Sequence, residues 1–178
     1  SIYIHIPFCP KICHYCGCNT HLTRNQDKMR VYVDALKKEI LMVKQYLNSN
    51  RKVSQVHWGG GTPNSLPVVM VEEIMQVIHT NFSFTEKPEI AMECHPAMLD
   101  KTYIEKLVEL KFNRFSLGIQ DFKEEVLDNV NRDASIIPVE ELEVVKNYLL
   151  GSILKSSDGA FSLAQQFKGV NFLGEDLT

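Results

Sequence analysis

The chain has 178 residues, 44% of them hydrophobic and 23% charged, which is enough apolar sequence to bury one sizeable core and argues against disorder. Its 19 Lys and Arg residues against 22 Asp and Glu residues give a net charge of −3, so there is no basic surface of the kind that binds nucleic acid. No apolar run approaches the roughly 18 residues that a membrane span needs, and we expect a cytoplasmic chain.

Short segments rich in β-branched and aromatic residues alternate along the chain with longer amphipathic segments. The short segments predict strands over residues 2–6, 53–58, 89–93 and 115–119. In the longer ones, apolar residues recur every three or four positions, which predicts helices over residues 25–47, 71–78 and 100–110 and a fourth that starts near Phe122. Asp100 is the expected N-cap of the third helix.

Strands that alternate with helices at this spacing predict βαβ units around a parallel sheet, either open or part of a barrel, and hence an α/β fold. In the third strand, alternation places Ile90 and Met92 on one face and Ala91 and Glu93 on the other. Chemically rich segments follow all four strands, at residues 9–18, 59–63, 93–96 and 120–121. Because C-terminal strand ends are where α/β folds build their sites, we expect these segments to converge.

Four of the five cysteines, Cys9, Cys13, Cys16 and Cys18, fall within ten residues, while Cys94 stands alone. A disulfide framework would spread its cysteines along the chain, and an odd total leaves one unpaired. Structural zinc usually takes two closely spaced pairs of ligands, which this spacing does not provide. The residues favour an iron–sulfur cluster over these alternatives, because three thiolates on a short loop suit soft sulfur ligation of iron.

The run YIHIPFCPKICHYCGC at residues 3–18 resembles the radical S-adenosylmethionine (SAM) enzymes, and specifically the family of oxygen-independent coproporphyrinogen III oxidases. HWGGGTP (57–63), IAME (90–93), FNRFSLGIQDF (112–122) and VNR (130–132) extend the resemblance in family order, so that it covers residues 1 to about 133. It implies a partial (β/α) barrel of the radical SAM type, with about four β/α units.

The resemblance implies a [4Fe–4S] cluster bound by Cys9, Cys13 and Cys16, with the open iron chelating SAM. The reduced cluster would cleave SAM to a 5′-deoxyadenosyl radical that abstracts hydrogen. In this family the reaction decarboxylates two propionates of coproporphyrinogen III to vinyl groups and gives protoporphyrinogen IX without oxygen. The implied partners are a porphyrinogen substrate and an electron donor such as flavodoxin or ferredoxin.

The resemblance also implies a set of SAM contacts, the last two at positions that contact a second bound SAM in the family. They are Tyr3, Tyr15, Gly60, Gly61, Thr62, Glu93, Gln120 and Arg132. Ordinary alternatives remain open for this set: a strand or loop aromatic, a tight turn, or a solvated carboxylate at a strand end. Cys18 is a candidate catalytic residue that would serve turnover without ligating iron. The alternative is that it is no more than a small buried residue.

No family motif is recognisable after Arg132. Pro138 predicts the start of an amphipathic helix, and residues 140–168 are similar to part of the non-catalytic C-terminal half of pitrilysin-type zinc peptidases. The segment lacks HxxEH, so it implies no protease activity. We therefore expect an incomplete radical SAM barrel over residues 1–133 and an unrelated-looking helical tail over residues 134–178, in a truncated or composite chain whose own turnover is in question.

Two other functions fit parts of the sequence. One is another haem-related radical SAM protein, such as the haem chaperone or the anaerobic haem-opening methyltransferase, although Gly17 and Cys18 after the third ligand argue against the chaperone. The other is a non-catalytic iron–sulfur or haem-binding module, which an incomplete barrel would suit.

Overall fold

The computed structural model describes residues 1–48 and 50–133, which form six strands and four helices. The strands are β1 (Ile2–Ile6), β2 (Phe8–Cys9), β3 (His21–Leu22), β4 (Val53–Gly60), β5 (Phe84–Cys94) and β6 (Arg114–Leu117). The helices are α1 (Gln26–Lys44), α2 (Val68–Asn81), α3 (Lys101–Glu109) and α4 (Glu124–Asn129). Short 3₁₀ turns lie at Pro63–Ser65 and Pro96–Met98.

The main sheet has the strand order β1-β4-β5-β6, and every neighbouring pair is parallel. One row of the register runs from Ile4 through Trp58 and Met92 to Phe115. Since α1, α2 and α3 each connect two successive strands of this sheet, the predicted α/β fold with repeated β/α units is confirmed. All four strands therefore end at the same edge.

The core lies between the sheet and the helices α1, α2 and α3. Ile4 and Ile6 of β1 share it with Trp58 of β4, which is fully buried and meets the Phe112 ring edge-on at 5.8 Å. The alternate residues of β1 include Tyr3, which points to the opposite face because strand side chains alternate. The sheet thus has one face packed on helices and one face free to carry polar chemistry.

The starts of α1 and α3 follow the sequence signals. Asn25 caps α1 by accepting a hydrogen bond from the backbone N–H of Lys28 at 3.0 Å, and Asp100 caps α3 by accepting one from Tyr103 at 2.7 Å. Helix α1 ends at Lys44 rather than at Leu47, because the N–H of Gln45 bonds back three residues to Met42 and tightens the last turn.

Several details differ from the sequence prediction. Strand β5 begins at Phe84, five residues early, because Phe84 pairs with Val53 across an irregularity in the ladder. Ala91 is buried like Ile90, although Glu93 on its own face is exposed. The two-residue pair β2–β3, which closes the ends of the cysteine loop, was not predicted because two residues carry no periodicity.

Strand β6 ends at Leu117, so the prediction that it continues to Ile119 was wrong. The backbone turns there: the N–H of Ile119 bonds to Leu117 O at 3.1 Å, and Gln120 adopts a left-handed φ of 70°. The predicted helix from Pro138 and the segment at 140–168 lie outside the described residues. Among the helices of residues 1–48 and 50–133, none has the length and apolar character to cross a membrane.

Candidate functional site

A cavity of about 250 Å³ lies at the edge where the four parallel strands end. It is lined by the cysteine loop (residues 9–18), by the residues that follow β4 and β5, and by the turn after β6. The convergence predicted from the alternation of strands and helices is therefore present. Eleven of the twelve predicted site residues line this one cavity. They are Cys9, Cys13, Tyr15, Cys16, Cys18, Gly60, Gly61, Thr62, Glu93, Gln120 and Arg132.

Cys9 is the most enclosed of the four loop cysteines. It ends the short strand β2, is 8% exposed, and its Sγ lies 3.1 Å from the hydroxyl of Thr62. Burial raises the pKa of the Cys9 thiol, while the Thr62 hydroxyl opposes that shift. A bound metal cation would offset the same desolvation, since metal ligation requires the thiolate.

The other loop cysteines are more accessible. Cys13 and Cys16 are half-buried, and the N–H of Cys16 bonds to Cys13 O at 3.0 Å in a turn. Cys18 is exposed. The pKa of its thiol is raised, mainly by the nearby Cys16 sulfur and to a lesser degree by partial burial. All four cysteines thus line one cavity, and their exposure to solvent increases from Cys9 to Cys13 and Cys16 and then to Cys18.

Two glycines after β4 let the chain pass close to the cysteine loop. Gly60 has a φ of +119°, and a Cβ there would lie 2.7 Å from Ile6 O. A Cβ on Gly61 would lie 2.9 Å from Phe8 O and 3.0 Å from Cys9 Sγ. Any larger side chain would therefore push against the strand that leads into the loop.

Glu93 projects from β5 into the cavity with half of its side chain exposed, and its Oε1 lies 3.0 Å from His57 Nε2 on the neighbouring strand. Gly59 permits this arrangement: a Cβ at that position would lie 3.1 Å from Glu93 Oε2 and 3.0 Å from the Tyr3 hydroxyl. Gly59 was not predicted as a site residue, because the family resemblance implies SAM contacts only for the second and third glycines of the run.

Tyr3 is the one predicted residue that does not line the cavity. Its ring stacks on His57, with centroids 5.9 Å apart, and its hydroxyl lies 3.1 Å from His5 Nδ1. Because His5 Nε2 must donate to the carbonyl of Asn19 at 3.0 Å, Nδ1 of a neutral His5 accepts from Tyr3. Tyr3 is thus tied to the end of the cysteine loop rather than placed in the cavity.

Arg132 bridges two walls of the cavity. Its Nη1 lies 3.5 Å from Cys13 Sγ, and its Nη2 donates to Gly118 O. Its Nε is buried without a hydrogen-bond partner among the described residues. Gln120 lies beside it at the same turn, in a left-handed conformation. A guanidinium with an unpaired donor, in contact with the Cys13 thiol, fits a site that receives an anionic or polar group.

Further residues that the sequence did not single out as contacts also line the cavity. They include Lys11, Cys94, His95 and Ser116. Burial raises the pKa of the Cys94 thiol to about 12, so it stays protonated, and burial lowers the pKa of His95. The pattern that could have found Cys94 and His95 is their position at the end of β5, directly after Glu93.

The donor set fits an iron–sulfur cluster better than a single metal ion. Within the part of the chain that the structure describes, no three His, Cys, Asp or Glu side chains are arranged to bind one ion. Each cysteine of a cluster binds a different iron, so the sulfurs need to surround a volume rather than converge on a point. Three thiols around a cavity, with a glycine at the wall beside Cys9, meet that requirement.

Comparisons of this chain with known proteins all point to the same family. The model of the Radical SAM superfamily matches residues 3–147. Curated relatives include oxygen-independent coproporphyrinogen III oxidases from Synechocystis sp., 45% identical over 132 residues, and from Escherichia coli K12, 44% identical over 133 residues. These matches cover 74% and 75% of this chain but only 28% and 29% of the relatives, so the chain spans less than a third of their length.

Among solved structures, coproporphyrinogen III oxidase from Escherichia coli, a radical SAM enzyme, superposes with a TM-score of 0.72 at 42% identity. That match covers 76% of this chain and 31% of the other. The family model extends past residue 133, where the motifs recognised in the sequence end. The similarity of residues 140–168 to pitrilysin-type peptidases lies outside the described residues and stays a prediction.

Proposed function

The chain belongs to the radical SAM superfamily, and we propose that it is the cofactor-binding part of an oxygen-independent coproporphyrinogen III oxidase. Membership implies a [4Fe–4S] cluster and SAM as cofactors. The proposed reaction converts propionate groups of coproporphyrinogen III to vinyl groups and yields protoporphyrinogen IX. We propose it for the protein as a whole, because this chain spans less than a third of the relatives that carry the name.

The observation that carries the proposal is that the cysteine loop, the turn after β4, Glu93 and Arg132 line one cavity although they are far apart in sequence. Within it, Cys9, Cys13 and Cys16 would hold the cluster. When bound, the reduced cluster supplies the single electron that cleaves SAM and so provides the radical that removes hydrogen from the substrate.

The remaining residues have roles that follow from their positions. Gly61 leaves room beside Cys9 for backbone groups to approach a ligand, and the Thr62 hydroxyl contacts the Cys9 sulfur. The half-exposed Glu93 carboxylate can accept hydrogen bonds from an amino or hydroxyl group of SAM. Arg132, which lines the cavity, can donate to a carboxylate through its guanidinium. Tyr15 and Gln120 complete the proposed contacts on the cavity wall.

Cys18 is proposed to serve turnover without binding iron, since it is the most exposed of the loop cysteines. The proposed partners are a porphyrinogen substrate and a one-electron donor such as flavodoxin or ferredoxin, which would meet the exposed side of the cysteine loop.

Anaerobic reconstitution of the chain with iron and sulfide tests the assignment. We expect an absorbance near ~400 nm from thiolate-ligated iron, which Cys13→Ala should abolish. Cys94→Ala is the matched control: Cys94 lines the same cavity from β5 but lies outside the ligand set, so the absorbance should persist.

Dithionite reduction in the presence of SAM then separates enzyme from binding module. Release of 5′-deoxyadenosine supports the radical SAM assignment for this chain. If the cluster forms and no 5′-deoxyadenosine appears, the chain is instead a non-catalytic iron–sulfur module in isolation.

A further inference from the structure

Four consecutive residues of the cysteine loop, residues 11–14, are each contacted by a segment that begins with the last residue of α4. We call this segment, residues 129–133, the anchor segment. The contacts are Lys11 Nζ to Asp133 Oδ1 (2.9 Å), Asn131 Nδ2 to Ile12 O (2.8 Å), Arg132 Nη1 to Cys13 Sγ (3.5 Å), His14 N to Val130 O (3.0 Å) and His14 Nδ1 to Asn129 O (3.1 Å).

The loop has little internal structure to hold it in place. Between residues 10 and 18 the structure describes one backbone hydrogen bond within the loop, from Cys16 N to Cys13 O. The strand pair β2–β3 fixes the start of the loop at Cys9, and His5 fixes the residue after its end through Asn19 O. The middle of the loop, around Cys13, is therefore fixed by the anchor segment.

The anchor segment itself is well supported. Its backbone closes α4 through hydrogen bonds from Asn131 N to Asp128 O at 3.0 Å and from Arg132 N to Leu127 O at 2.9 Å. Leu127 is 2% exposed, so the helix is seated by a buried side chain. Asn131 has a φ of 56°, a left-handed conformation that Asn tolerates better than most residues and that aims its amide at the loop.

The donor and the acceptor in several of these hydrogen bonds are fixed by the chemistry of the groups. Carbonyl oxygens only accept, so the Asn131 amide must donate to Ile12 O, and His14 must donate both its backbone N–H and its Nδ1–H to the anchor segment. Of these contacts, the Asn131 bond is the shortest, and it reaches the residue directly before Cys13.

We infer that Asn131 is a positioning residue of the cysteine loop: its side chain holds Ile12, and through it Cys13, where a cluster can be ligated. The inference rests on the proposed function for its consequence, cluster retention, but the contact itself can be tested without any cluster.

The test uses Asn131→Gly in the full chain, because Gly accepts the left-handed backbone and the substitution removes only the side chain. Asn81→Ala is the matched control: the Asn81 amide also donates to a backbone carbonyl, Val77 O at 2.8 Å, but at the end of α2. Hydrogen exchange of the metal-free proteins and chelator-driven loss of the ~400 nm absorbance of the reconstituted proteins are measured.

For Asn131→Gly we expect faster exchange at the His14 amide, unchanged exchange in β4 and β5, and cluster loss accelerated by roughly two- to tenfold, the range of one ordinary hydrogen bond. Unchanged exchange at His14, or an increase spread equally over the sheet, would overturn the inference. If wild type and Asn81→Ala hold no cluster, the proposed function fails, while the exchange result still decides the role of Asn131.

Discussion

Glu93 Oε1 lies 3.0 Å from His57 Nε2, which joins β5 to β4 beside the cavity. Because a carboxylate held by a neighbour has fewer orientations to lose on binding, this bond would favour the role in SAM binding that we propose for Glu93. We expect His57→Ala to weaken SAM binding by the reconstituted chain roughly two- to tenfold, measured by anaerobic calorimetry.

Gln55→Ala is the control for that substitution. Gln55 also lies on β4 and bonds a β5 carboxylate, Glu89 Oε1, at 2.8 Å, but two residues before His57 and outside the lining of the cavity. Equal weakening by both variants would mean that the sheet, rather than the orientation of Glu93, is responsible.

The turn after β4 predicts a sharp contrast between two glycines. Gly60→Ala places a Cβ 2.7 Å from Ile6 O at a φ of +119°, so we expect it to lower the free energy of unfolding by about 2 kcal/mol. Gly17→Ala in the cysteine loop meets nothing within 4 Å and should change it by less than about 0.5 kcal/mol. Urea denaturation measures both, and similar effects would contradict the geometry at Gly60.

Alkylation mapped by mass spectrometry should distinguish the five cysteines. In the metal-free chain at pH 8, we expect Cys13, Cys16 and Cys18 to react before the buried Cys9 and Cys94, because access and the thiolate fraction control the rate. After reconstitution, Cys13 and Cys16 should become protected while Cys18 stays reactive. Protection of Cys18 instead of Cys16 would reverse their proposed roles.

Glu73 links the helices α1 and α2 through Arg30 at 2.7 Å and Lys37 at 2.6 Å. Hydrogen bonds from Arg30 and then Lys37 lower the pKa of the Glu73 carboxyl from 4.5 to about 2. A lowered pKa in the folded state stabilises the protein above the unfolded value, so this stability is present above pH 4.5 and is lost as the pH falls towards 2.

We expect Glu73→Gln to remove about 1 kcal/mol of the stability difference between pH 7 and pH 3, a value reduced for solvent screening. Glu72→Gln is the control, since Glu72 is exposed and outside the ion pairs that the structure describes. Chemical denaturation at both pH values measures the difference. An identical pH dependence in wild type and Glu73→Gln would refute the assigned role.

Much of the fold follows from local patterns in the sequence. The four strands of the main sheet, the start of α1 near Asn25 and the Asp100 cap were predictable, because a buried strand or a helix start is specified by nearby residues. The convergence of the loops followed from the alternation of strands and helices, since this pattern predicts parallel strands that end at one edge.

Other features depend on contacts between distant residues and leave no local pattern. The stacking of Tyr3 on His57 depends on which strands become neighbours, and so does the bond from His57 to Glu93. The contact of Asn131 with Ile12 spans 119 residues and was invisible to periodicity. These are the contacts that set the geometry of the site.

That long separation also orders events during synthesis. The cysteine loop is synthesised before the anchor segment: Asn131 and Asp133 are added more than 100 residues later, roughly ten seconds at ordinary elongation rates. During that interval the nascent chain carries four thiols on a loop that does not yet have its contacts with the anchor segment. Iron delivered during this interval would meet cysteines whose positions are not yet fixed by the anchor segment. The ordered site would therefore become available for metallation only once the anchor segment has emerged from the ribosome.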